Sequence, residues 1–148
     1  MKYPVLTAQT AIAKPAQTVR EWFLSLQDHP ERYRFASHEG FFFDEGGFGA
    51  VGARFHTIEH FSGLRMTLHF ALSNIGDWHF SFDLQRPISG VWGTFGIEEV
   101  NENSSTLTLN VGSRSKIGRT VLHLPLIRQA VQKQIQAEVE HVRTCIQG

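Results

Sequence analysis

Cysteine is nearly absent. Cys145 is the one thiol in 148 residues, so no internal disulfide can hold the fold, which fits a reducing compartment. Net charge is absent too: 14 Lys+Arg balance 14 Asp+Glu. That argues against a nucleic-acid partner, because such binders carry a basic excess. No apolar run approaches the roughly 20 residues that span a bilayer, so no stable membrane insertion is expected. The segment from Met1 to Gln9 has a charge but no apolar stretch of the kind a secretory signal needs, and a cytoplasmic location is the expectation. Proline is sparse and serine scattered, no repeat or low-complexity tract appears, and one domain over residues 1–148 is expected.

What is present is aromatic mass and a change of period. Ten of the twelve phenylalanines fall between residues 41 and 95, so one stretch of chain carries nearly all of them. Residues 1–14 read as a strand, with Leu6, Ala8, Thr10 and Ile12 on one face. Pro15 opens a short amphipathic helix on Val19, Trp22, Phe23 and Leu26 that ends near Asp28. The segment from His29 to Tyr33 opens with another proline and reads as a second short helix or turn. Between Ser37 and Ser115, turn signals recur every 8–15 residues or so, which indicates antiparallel strands joined by hairpins. Period 3.6 then returns: Ile127, Val131, Ile135, Val139, Val142 and Ile146 form a stripe on a helix from Pro125 to Gln147, about 34 Å long. Arg128, Gln132, Lys133, Gln136, Glu140 and Arg143 occupy its opposite face, read as wet. Between sheet and helix, Arg114, Lys116 and Arg119 form a modest basic loop, read as solvated rather than as a contact for anionic head groups.

Alternation sets the expected register. A two-residue turn at Ser62-Gly63 pairs Phe61 with Leu64, Glu59 with Met66, Thr57 with Leu68 and Phe55 with Phe70. A three-residue turn at Asn74-Ile75-Gly76 pairs Leu72 with Trp78, Phe70 with Phe80 and Leu68 with Phe82. The inner face then comprises Phe55, Thr57, Glu59, Phe61, Met66, Leu68, Phe70, Trp78, Phe80 and Phe82. Either this face is a solid aromatic core, or it lines a cavity of the make-up usual for a small-molecule site.

The order of elements resembles the helix-grip fold of the START and birch-pollen-allergen superfamily, in particular its polyketide cyclase/dehydrase and lipid-transport group. The best local marker is the run from Ile12 to Leu24, a strand entering a proline-started helix with Val19, Trp22 and Phe23 close behind. Gly52-Ala53-Arg54-Phe55, Phe61-Ser62-Gly63, Phe95-Gly96-Ile97-Glu98 and Thr106-Leu107-Thr108-Leu109 add to it. The resemblance implies an α+β fold, with about seven antiparallel strands curved around the C-terminal helix. It also implies a cavity between them for an apolar or amphipathic ligand, with Phe95, Ile135 and Val139 contributing to its wall. Members bind lipids, sterols or polyketides, and some catalyse cyclisation or dehydration, with no fixed set of catalytic residues.

Within that frame Glu59 is the candidate for chemistry, as an acid/base desolvated among Phe55, Phe61 and Met66. The alternative is a rim position in water, or an arginine partner. Aromatase/cyclase relatives use tyrosine and arginine, but Arg65 faces outward in this register and Tyr33 lies in an unplaced segment, so neither role is carried over. His56 and His69 meet across strands, yet Thr67, Ser81, Arg54 and Ala71 around them supply no third zinc ligand; neither a metal nor a cofactor is expected. Cys145 reads as a small buried filler. Three functional expectations stand: a carrier of an apolar small molecule, an enzyme acting on one, and a partner-binding domain with a filled core. The oligomeric state is open.

Overall fold

The computed structural model describes residues 4–148; the first three residues of the expected opening strand lie outside the described residues. Strand β1 (Leu6–Ile12) buries every second residue from Leu6 to Ile12, as its alternation requires. Helix α1 (Ala16–Ser25) follows Pro15, and a 3-10 turn spans Pro30–Tyr33. Six strands come next: β2 (His38–Glu45), β3 (Arg54–Phe61), β4 (Leu64–Ile75), β5 (His79–Arg86), β6 (Val91–Asn101) and β7 (Ser104–Ser113). Two helices close the chain, α2 (Lys116–His123) and α3 (Pro125–Gln147).

All seven strands form one antiparallel sheet in the order β1-β7-β6-β5-β4-β3-β2. The first strand therefore joins the far end of the meander, and α3 lies across the sheet's inner face. Val139 and Val142 are fully buried there, and Ile135 nearly so. The helix also covers the open edge of β1. Gln132 donates to the Thr7 carbonyl at 2.9 Å and Gln136 to the Gln9 carbonyl at 3.4 Å. Those two glutamines were expected on a wet face; instead they satisfy carbonyls that an edge strand leaves unpaired.

The β3–β4 hairpin has the expected register, from Phe61↔Leu64 to Phe55↔Phe70. Ser62 and Gly63 both take positive φ, which a two-residue hairpin turn demands. The next hairpin differs. Phe70 pairs with Leu84 and Leu72 with Phe82, each four residues from the expected partner. Ile75 extends β4 opposite Phe80, and the turn moves to Gly76-Asp77-Trp78, closed by the Gly76 N–H on the His79 carbonyl. A slip of four is even, so Phe70, Leu72, Phe82 and Leu84 keep their face. A bulge between Leu72 and Asn74 absorbs the extra residue. Trp78, expected inside, is left in the turn and is 44% exposed.

The supposed basic loop is also different: Lys116–His123 is a helix, capped by the Ser115 hydroxyl accepting from the Gly118 N–H at 3.0 Å. Cys145, expected as a buried filler, is exposed near the end of α3.

The grip of the helix is tested by mutation. Val139→Asp places an unpaired charge in a fully buried site and should cost more than about 3 kcal/mol, or unfold the chain. Gln132→Ala removes one edge hydrogen bond and should cost about 1 kcal/mol. Urea denaturation reads both; similar losses for the two would contradict the packing described.

Candidate functional site

Aromatic rings close one end of the space between sheet and helix. Phe23 from α1 packs on Phe80 (centroids 5.4 Å apart) and Phe95 (4.8 Å), with Phe48 beside it at 6.0 Å. Against that plug, with Phe48 and Phe95 in its wall, lies a cavity of about 750 Å³. That volume is in the range of small-molecule sites, roughly 300–1,000 Å³. The inner face, for which the sequence left a solid aromatic core and a lined cavity both open, borders this space.

Ten of the residues read from sequence line this cavity: Phe55, Thr57, Glu59, Phe61, Met66, Leu68, Phe70, Phe82, Phe95 and Ile135. Three do not. Trp78 sits in the turn already described. Phe80 is part of the aromatic plug, and Val139 is buried outside the lining. Gly93 opposes Phe82 across the sheet, and a Cβ there would collide with the phenyl ring. Only glycine lets that ring lie flat against the strand.

The polar end of the cavity is built from four elements. Thr57 and Glu59 are two apart on β3 and so share its inner face. His38 at the start of β2 pairs with Glu59, and the 3-10 turn brings Tyr33 alongside. Gln134 and Glu138, four apart on α3, reach down from above. Glu59 is 4% exposed, so it is no rim group, and its partners among the described residues do not include an arginine. Its two oxygens accept from Thr57 Oγ1 and, at 3.1 Å, from Gln134 Nε2. Tyr33 donates its hydroxyl to Glu138 Oε1 at 2.9 Å.

His38 joins the two carboxyl groups. Its Nδ1 lies 2.7 Å from the Tyr33 carbonyl, an acceptor, so Nδ1 carries a proton. In the neutral ring Nε2 is then a bare lone pair, 3.8 Å from Glu59 Oε2 and 3.6 Å from Glu138 Oε1. Burial lowers the His38 pKa below its ordinary value, against the pull of Glu59, and so favours that neutral ring. Burial, reinforced by the Glu59 carboxylate, holds Glu138 well above the usual carboxylate range. Glu138 therefore holds its proton to higher pH than an ordinary carboxylate does. Burial also raises Tyr33, keeping its hydroxyl a donor. The cluster thus presents a proton acceptor and a proton donor side by side in an apolar chamber.

Thr57 and Glu59 were the members of this cluster identified from sequence as site residues. The one available signal for Gln134 and Glu138 was their spacing from Val131, three and seven residues on, which puts polar side chains beside the apolar stripe.

Two groups of metal-type donors lie within 4.8 Å of one another among the described residues. One is His38, Glu59 and Glu138. The other is Asp44, His56 and His69 on the outer face, where Asp44 in β2 adds the third donor that was not found around the histidine pair. Both donor sets have protein partners: Asp44 bonds to His56 at 2.8 Å, and Arg86 lies 3.4 Å from His69 Nδ1.

Neither a family model nor a curated protein matches the sequence. Solved structures match over nearly the whole chain. A START superfamily protein from Mycobacterium smegmatis aligns with a TM-score of 0.73 at 11% identity, covering 96% of each chain. The Zhui aromatase/cyclase from Streptomyces sp. R1128 aligns at 0.71 and 12% identity, over 96% of this chain and 92% of its own. Norcoclaurine synthase from Thalictrum flavum gives 0.71 and 11%, over 95% and 84%. The chain has the helix-grip fold. At such identities the likeness is one of architecture, and chemistry has to be argued from the site.

The raised pKa of Glu138 has a measurable consequence. A group with a raised pKa adds stability that is complete below its ordinary value of 4.5 and is lost as pH rises through the folded value. His38 has the opposite sign: stability present above pH 6.5 is lost as pH falls toward its lowered value. Glu138→Gln keeps an acceptor for Tyr33 but cannot ionise. The melting temperature of this variant relative to the parent should climb as pH rises from 5 to 9 or so. A flat difference would contradict a protonated Glu138.

Proposed function

We propose that this helix-grip chain binds an amphipathic, mainly apolar small molecule between the sheet and α3. The apolar body would lie along Phe55, Phe61, Met66, Leu68, Phe70, Phe82, Phe95 and Ile135. A hydroxyl or carbonyl would meet Thr57, Glu59, His38, Tyr33 and Glu138. The observation that carries this reading is the pairing of an apolar chamber of about 750 Å³ with convergent buried polar groups at one end. Binding of this kind needs no cofactor. A bare apolar chamber would suit a carrier that recognises shape alone; this one has groups that orient a polar function.

A second reading, an enzyme of the cyclase or dehydratase type, is favoured by the unlike proton states around His38. Glu59 with His38 would take a proton from a carbon beside a carbonyl. Glu138 would give its own to a departing hydroxyl, releasing water and leaving a carbon–carbon double bond. Both transfers are of the kind that positioned groups accelerate by roughly 10²–10⁴-fold.

The test is displacement of anilinonaphthalene sulfonate. The dye should bind saturably and be displaced by fatty acids or aromatic polyols, with Trp92, which borders the cavity, reporting by fluorescence. Leu68→Trp should abolish binding without lowering the melting temperature, since the new ring enters empty space. If the cavity were packed solid, that change would cost about 1–3 kcal/mol. Glu59→Gln should leave dye binding intact and reduce turnover of a true substrate about a hundredfold if the second reading holds. Absence of saturable binding in the parent, with destabilisation by Leu68→Trp, would overturn both readings.

A further inference from the structure

The outer face of the sheet carries a group of side chains that the chamber does not use. Asp44, His56 and His69 come from the neighbouring strands β2, β3 and β4, and each offers a donor atom within 4.8 Å of the others. Register brings them together. His56 stands directly opposite His69 on β4 and opposite Phe42 on β2. Both imidazoles lie on the side away from the chamber, because their chain neighbours Phe55, Thr57, Leu68 and Phe70 line it. The two rings are 5.5 Å apart between centroids, and Phe42 stacks on His56 at 5.0 Å, which fixes its plane. Asp44 arrives by another route. The ladder between β2 and β3 is irregular between Phe43 and Glu45, so Asp44 has no partner across it, and its carboxylate reaches His56 instead. Its two oxygens lie 2.8 and 3.0 Å from His56 Nδ1.

That spacing suits two ligands of one ion. Zinc bonds to imidazole nitrogen and carboxylate oxygen at about 2.0–2.2 Å, so at angles from a right angle to the tetrahedral one the donor atoms stand roughly 2.8–3.6 Å apart. Arg54 does not compete for Asp44, because it is paired with Glu45 at 2.9 Å. One group does oppose a cation. Arg86 on β5 is the ladder partner of His69, and its Nη2 lies 3.4 Å from His69 Nδ1. An arginine offers only donors, so His69 Nδ1 is the nitrogen with the free lone pair. Desolvation, Arg86 and His56 all lower the His69 pKa, against Asp44, so this ring stays neutral to lower pH than an ordinary histidine. Arg86 is itself exposed, and its head can move into water when a cation arrives.

We propose that Asp44, His56 and His69 form a surface site for one divalent transition cation of the zinc class, with water completing its coordination on the open side. Two imidazoles and a carboxylate favour such an ion over magnesium or calcium, which prefer oxygen ligands alone. The ion would clasp β2, β3 and β4 from outside, directly behind the residues that wall the chamber. This site is separate from the donors His38, Glu59 and Glu138 within, and it stands whether or not the chamber takes a ligand.

The experiment is calorimetric titration of zinc chloride into the full chain after dialysis against a chelator. Zinc should bind saturably at one ion per chain, and magnesium and calcium should not bind at the same concentrations. The unfolded chain has no assembled site, so saturating zinc should raise the melting temperature by roughly a few degrees. His69→Gln and Asp44→Asn should each weaken zinc binding by at least about tenfold. Arg86→Gln removes a repelling charge and should strengthen it by about threefold. Nitrogen NMR of the histidine side chains locates the ion: His56 and His69 resonances should move on zinc addition while those of His38 stay. Should His69→Gln melt early without zinc, the exposed Asp44→Asn decides. Absence of zinc binding in the parent, or binding unchanged in Asp44→Asn, would overturn the proposal. So would zinc binding that is lost in Glu59→Gln, which would put the ion in the chamber. Loss in Cys145→Ser would overturn it too, because the ion would then belong to the Cys145–His141 pair, whose sulfur and Nε2 are 3.4 Å apart.

Discussion

Two carboxyl groups, the buried Glu59 and the half-buried Glu138, face one imidazole, and neither is paired with a lysine or arginine among the described residues. Two bare charges in so apolar a place would be prohibitive. Burial and the neighbouring Glu59 push the Glu138 pKa up, and hydrogen bonds from Thr57, Gln134 and Tyr33 meet the carboxyl oxygens. Removing any one donor leaves an acceptor unsatisfied in a nearly dry setting, so the cluster acts as a unit. That unit ties β2, β3, the 3-10 turn and α3 together at one end of the chamber.

The rest of the architecture follows from keeping the other end open. Phe23, Phe48, Phe80 and Phe95 supply the solid packing that a domain of this size needs, so the chamber beyond them does not have to contribute to the core. Phe82 lies over Gly93, where a larger residue would collide with its ring. The helix stays seated because the inward Val139 and Val142 are matched at its flank by Gln132 and Gln136 on the β1 edge. Stability and vacancy are thus assigned to different residues.

Local periodicity carried most of the fold. The β3–β4 register was legible because a Ser-Gly turn and strict alternation agree, and α3 because its stripe runs unbroken from a proline. The β4–β5 register was not, because Ile75 looks like a turn residue beside Asn74 and Gly76 but has the side chain of a strand. Helix α2 was hidden by Gly118 and by cations that resemble a loop. The site was only partly legible for a different reason. Glu59 stands out as a charge on an apolar face, whereas its partners come from far along the chain. Gln134 is 75 residues from Glu59, and Tyr33 is 105 from Glu138. No spacing rule reports contacts of that length; they depend on how α3 is rotated over the sheet.

The central claim is that the polar end of the chamber holds a protonated Glu138 ready to meet a ligand. It is tested most directly by carboxyl-carbon NMR of the intact chain, following the Glu138 resonance through a pH titration with and without anilinonaphthalene sulfonate. The account predicts that this carboxyl stays protonated through neutral pH, and that its resonance moves when the dye fills the cavity. A Glu138 that titrates near about 4.3, like an exposed carboxylate, and does not respond to the dye would contradict it.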